Sequence, residues 1–62
     1  MNWVQYEVWA EDGDGHQELV ETTASKKDAL SIAERTHRET NAIVTVYEDS
    51  DDNGYDLIKE FS

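Results

Sequence analysis

The chain has 62 residues, with 15 aspartates and glutamates against 5 lysines and arginines, and a formal charge of −10. It contains no cysteine, so no disulfide or thiolate zinc site can staple it, and residues 1–62 make a single domain at most. A chain this short buries only about 60% of its unfolded surface, so its core is expected to supply roughly 3–5 kcal/mol of net stability.

The first element is written in "WVQYEVWAE", residues 3–11. Val4, Tyr6, Val8 and Ala10 share one face of a period-two pattern, and Trp3, Gln5, Glu7, Trp9 and Glu11 share the other, which predicts a strand. The turn formers of "DGDGH" lead into a second strand, "QELVETT", as a hairpin. Ser25 then stands three residues before Asp28, a variant of the capping box. Ala29, Ile32, Ala33 and Thr36 recur at helical spacing with Leu30 beside them, so a helix is expected over Lys26–Glu39. "NAIVTVYE" is dense in β-branched residues and reads as a third strand. "YDLIKEF" makes a fourth.

The fold class is therefore α+β: ββαββ, a four-stranded sheet with one helix packed on one face. Val4, Tyr6, Val8, Val44, Val46, Leu57 and Phe61 are expected under the helix. The other face is left open, and on the first strand it carries Trp3 and Trp9 around Glu7. These aromatics either form an exposed contact patch or close into a second small cluster with Ile43, Tyr47 and Ile58. A homodimer through this face would satisfy both readings, so the chain is expected to be a monomer or homodimer.

The stretch "DSDDNGYDLIKE", residues 49–60, matches the calcium-loop pattern at every specified position. An EF-hand loop, however, needs a helix on each side to position its ligands. Here a strand enters and only two residues follow Glu60. Asn53-Gly54 is instead a hairpin signal of the type I′ kind. The loop reads as a turn first. Calcium binding through Asp49, Asp51, Asp52, Asn53 and Glu60 is the alternative, with no cofactor otherwise expected. Asp12, Asp14 and His16 form a weaker metal candidate, since their spacing specifies no second shell. His16 in its turn and His37 on the helix read as surface histidines.

Charge is not spread evenly. Residues 25–40 hold four cations against three acids, a net of +1, and the remainder holds Lys59 against twelve acids, a net of −11. The acids gather in "EDGDG" (Glu11, Asp12, Asp14) and "EDSDD" (Glu48, Asp49, Asp51, Asp52). The helix returns the backbone, so the two hairpin turns fall at opposite ends of the sheet, on the order of 20 Å apart. Glu7, Glu18, Glu21, Asp56 and Glu60 lie between them. A halophile's solubilising acid is expected over the helix too, so segregation favours a surface that meets a basic partner, with a halophilic small domain whose acidity serves solubility as the alternative.

No constellation points to catalysis, because so small a chain offers no deep pocket to drive two carboxyl pKa values apart. Direct nucleic-acid binding is disfavoured by the charge of −10. No apolar run is long enough to span a membrane. The opening "MNWVQYEVWAEDG" has neither the basic start nor the apolar segment of a signal peptide, so a cytoplasmic placement is expected.

In size, ββαββ order, acidity and absence of cysteine the whole chain resembles the small acidic phage-encoded inhibitors of host defence, especially anti-CRISPR proteins that mimic DNA. No sequence motif carries the resemblance. It implies a non-enzymatic inhibitor working in the host cytoplasm, seated on a basic surface of a nucleic-acid-processing complex that normally receives target DNA. The partner-binding residues expected are Glu7, Glu11, Asp12, Asp14, Glu48, Asp49, Asp51 and Asp52, with Trp3 and Trp9 as anchors.

Overall fold

A computed structural model describes residues 2–62. The elements run β1 (Val4–Glu11), β2 (Gln17–Thr23), α1 (Lys26–Thr40), β3 (Ile43–Ser50) and β4 (Gly54–Phe61). The four strands form one antiparallel sheet in the order β2-β1-β3-β4, with α1 packed on one face. The fold is α+β, as the periodicities predict.

Local chemistry sets the ends of the helix. Ser25 has extended backbone angles and its Oγ accepts from the Asp28 N–H at 3.2 Å, satisfying one orphan donor of the first turn. At the other end Asn41 adopts φ 61° and donates its N–H to the His37 carbonyl at 2.8 Å. This left-handed cap stops the helix. Asn41 and Ala42 thus belong to the helix terminus and its exit, not to the third strand expected over "NAIVTVYE".

The core lies between α1 and the two central strands. Val8, Val44, Val46, Ala29 and Ala33 are fully buried, and Tyr6 nearly so. Alanine at 29 and 33 leaves no side chain beyond Cβ, so the helix can lie close on the valines. Tyr6 remains satisfied at depth because its hydroxyl donates to Glu48 Oε2 at 3.1 Å. Among the described residues no buried side-chain nitrogen or oxygen lacks a partner.

Three expectations are corrected by the register. First, β3 does not stop at Glu48: Asp49 and Ser50 continue the ladder opposite Gln5 and Val4. Glu48 and Asp49 are strand residues, and the acidic turn shrinks to Asp51, Asp52 and Asn53. Second, the turn is not type I′, which needs positive φ at both central residues; Asn53 has none, and the left-handed residue is Gly54 at φ 77°. Asn53 N–H is instead tied to Ser50 Oγ at 3.0 Å.

Third, Leu57 does not face the helix. The pairing of β3 with β4 shifts between Val46 and Tyr47: Val46 faces Lys59, Tyr47 faces Leu57, and Ile58 is the extra residue. This bulge reverses the expected assignment. Ile58 packs against the core, whereas Leu57 stands on the open face at 55% exposure. A second bulge, between Val8 and Trp9, leaves Val20 as the extra residue of β2. Both edge strands therefore carry a bulge as well as charge, which discourages pairing with a foreign strand. Ile58→Ala should lower unfolding free energy by about 1–2 kcal/mol and Leu57→Ala by under about 0.5 kcal/mol. Urea melts of the two variants check the register directly, and the reverse ranking would refute it.

Candidate functional site: the open sheet face and its acidic ends

Cross-strand pairing builds the open face row by row. Gln5, Asp49 and Tyr55 make one row; Thr22, Glu7, Tyr47 and Leu57 the next; Leu19, Trp9, Thr45 and Glu60 the third; Gln17, Glu11 and Ile43 the last. Aromatic and aliphatic groups hold the middle, and carboxylates appear in every row.

Glu7 organises this surface. Its Oε1 accepts from Trp9 Nε1 at 2.9 Å and from the Tyr55 hydroxyl at 2.8 Å. The Tyr47 and Tyr55 rings stack with centroids 4.9 Å apart and planes 13° apart. The Tyr55 hydroxyl is pushed up to about 12, first by burial, then by its hydrogen bond to Glu7 and the charge of that carboxylate. Tyr6 is raised too, by burial first and then by Glu48.

The alkaline limb follows from the sign of the Tyr55 shift. Its ordinary value of 10.0 applies in the unfolded chain, against about 12 when folded. Between those values the unfolded chain holds fewer protons, so the contribution is complete below pH 10 and lost as pH rises toward 12. The residue is 52% exposed, so solvent screening keeps that contribution small. The clearer readout is spectroscopic: the late tyrosinate absorbance step should lose one tyrosine's amplitude in Tyr55→Phe, the raised Tyr6 hydroxyl retaining its own. An unchanged amplitude at high pH in the variant would refute the assignment.

Trp3 and Trp9 do not form one patch. Trp9 is half-buried against Glu7, whereas Trp3 precedes β1 and is 49% exposed. Trp3 borders an open hollow of about 340 Å³ with Val4, Tyr6, Glu48, Ser50 and Asp52. Its backbone is clasped to the turn: Trp3 N–H donates to Asp51 Oδ1 at 3.0 Å, and Asp51 N–H donates to the Trp3 carbonyl at 3.3 Å. Asp51 is thus a structural clamp as well as a charge. Of the group proposed to join the tryptophans, Tyr47 and Ile43 lie on Trp9's face, but Ile58 belongs to the core.

The two turns do lie at opposite ends. Glu11 leads into the first turn opposite Ile43, and Val4 pairs with Ser50 at the second. In the first, Asp12 Oδ1 accepts the N–H groups of Asp14 and His16 at 2.9 and 3.1 Å, with Gly15 at φ 86° completing the reversal. Asp14 and Asp52 are exposed and, among the described residues, make no side-chain hydrogen bond of this kind. Glu48 accepts from Tyr6 on the helix side of the sheet, away from Glu7. Glu18, Glu21 and Asp56 likewise fall on that side, so the acid wraps both edges instead of filling one face.

The candidate calcium ligands are not brought together. Glu60 pairs with Thr45, four residues along β3 from Asp49, and Asp51 is occupied with Trp3. Asp12, Asp14 and His16 do converge, with ligand atoms within 4.8 Å, but all three are exposed. His37 acts in the fold: its Nδ1 lies 2.7 Å from the Ala42 carbonyl. A carbonyl can only accept, so Nδ1 carries the proton there.

What the fold and site define is a small α+β domain whose open sheet face is aromatic at its centre and acidic at its ends. No protein-family model matches the chain, and neither a curated protein nor a solved structure shows detectable similarity to it. Among the described residues no helix is long and apolar enough to cross a membrane.

Proposed function

We propose that this chain is a non-enzymatic interaction protein that occupies a lysine- and arginine-rich site on a nucleic-acid-processing complex and so excludes DNA. That is the mode of action the resemblance to anti-CRISPR inhibitors implies. The observation that carries the reading is where the charge lies. A net of −11 sits outside the helix segment, on a molecule whose longest extent is 38 Å. One strand of a DNA duplex carries about 11 phosphates over such a length, at about 3.4 Å each. The carboxylates of the strands and turns run along the sheet and around both its edges at comparable linear density, and the helix segment is near neutral. A basic groove built for a phosphate backbone would meet both acidic ends at once.

The test uses the intact protein as bait in a lysate carrying nucleic-acid-processing complexes, with duplex DNA added as competitor. Release of the captured complex by DNA supports mimicry. A partner retained in the presence of DNA, and after neutralisation of both acidic turns, would sink the reading.

A further inference from the structure

Resting on that reading, the open face itself can be assigned an occupant. Charge alone steers a partner but does not seat it; seating needs a fixed, partly desolvated contact near the centre of the surface. Glu7 provides one. Two donors, Trp9 Nε1 and the Tyr55 hydroxyl, converge on its Oε1 from different strands and fix the carboxylate. Among the described residues nothing donates to Oε2. Beside it the stacked Tyr47–Tyr55 pair offers an outer ring face.

We propose that Glu7, Tyr47 and Tyr55 form a seat for an arginine side chain of the partner. The guanidinium lies against the tyrosine pair and donates to the free Oε2 of Glu7. Arginine fits and lysine does not, because the guanidinium is planar, weakly hydrated, stacks on aromatic faces and presents a fixed fork of donors. Charge-assisted N–H donation to a carboxylate whose position is already fixed loses little entropy on binding. The raised Tyr55 hydroxyl stays protonated at neutral pH and so keeps donating to Oε1.

Other occupants fit less well. A second copy placed face to face would bring Glu7, Glu11, Asp49 and Glu60 of each chain against their counterparts. A nucleic acid base could stack on the tyrosines, but its phosphates would meet a protein of charge −10. An arginine-bearing basic segment is complementary to both the carboxylates and the rings.

The experiment is a nuclear magnetic resonance titration of the intact protein with two peptides of equal length and charge, one arginine-based and one lysine-based. The arginine peptide should bind about tenfold more tightly, shifting the Trp9 indole N–H and the amides of Tyr47 and Leu57. Glu7→Gln keeps an oxygen for Trp9 and Tyr55 but loses the charge, and should bring the preference close to one. Tyr47→Ala, at a partly exposed position, should lower it independently. Equal affinity for the two peptides, with shifts confined to residues 12–16 and 51–53, would overturn the arginine seat and leave the acidic-mimic reading standing. Shifts of the same face by self-association in the absence of peptide would overturn it in favour of a second copy. If neither peptide binds at low salt, the seat and the basic-partner reading fall together.

Discussion

Val46→Ala should cost about 2–3 kcal/mol, close to the whole stability that a 62-residue core supplies. Val46 is fully buried in the strand next to β1 and pairs with Val8, also fully buried, beneath Ala29 and Ala33. Removing two methyl groups forfeits their transfer free energy. The hole refills poorly, because the fully buried side chains of its cluster are small or stiff: the alanines have no rotamer to swing in, and the valines are stiff at χ1. With few core side chains, no distant part of the structure can compensate. The melting temperature should fall by about 10–20 °C, and the urea midpoint should move with little change in slope. A loss below about 1 kcal/mol would show that α1 can settle onto the sheet, and that the alanine contact is looser than its burial implies.

The centre of that core was legible because it obeys one rule. Tyr6, Val8 and Ala10 alternate without interruption and the helix stripe has a single period, whereas Val4, expected under the helix, is 40% exposed. Ser25 and Asp28 mark its start by spacing alone. What escaped were positions where pairing overrides local preference. Aspartate is disfavoured in strands, so "DS" after Glu48 reads as loop; yet Asp49 and Ser50 are drawn into β3 by pairing with Gln5 and Val4. The Ile58 bulge leaves no trace in "YDLIKEF", whose alternation fits either face. Only the register against β3 decides which of Leu57 and Ile58 is buried. The candidate site shows the same division. Its acidic ends are visible in composition, whereas the Tyr55–Glu7 hydrogen bond joins residues 48 apart in sequence. Once Glu7, Tyr47 and Tyr55 are known to share a face, their aromatic and acidic character is a usable signal. The sequence alone does not supply that register.

The acidic ends invite a cleaner perturbation than their number implies, because the carboxylates are not equivalent. Asp12 and Asp51 hold backbone N–H groups, so replacing them confounds charge with turn geometry. Asp14 and Asp52 carry charge at exposed positions, one at each end, without such duties. Asp14→Asn with Asp52→Asn should therefore change the electric field and leave the fold intact. Two effects are expected, of opposite sense. Stability should rise by a few tenths of a kcal/mol, since self-repulsion destabilises a compact chain of charge −10. Association with a basic partner should slow by about tenfold at low ionic strength, while dissociation stays nearly constant, because exposed charges outside the desolvated contact act on encounter. Raising the salt should erase the difference, as the Debye length falls from about 10 Å at 0.1 M to about 3 Å at 1 M. Glu7→Gln should show the complementary pattern, with faster dissociation that persists in salt, because its contact is partly desolvated and fixed by Trp9 and Tyr55. Stopped-flow association across a salt series separates the two. If the Asp14/Asp52 variant instead dissociated faster with an unchanged association rate, the turns would be contact surfaces and the steering argument would fail. If neither variant altered either rate, the partner would be bound elsewhere, and the acid of both turns would serve solubility.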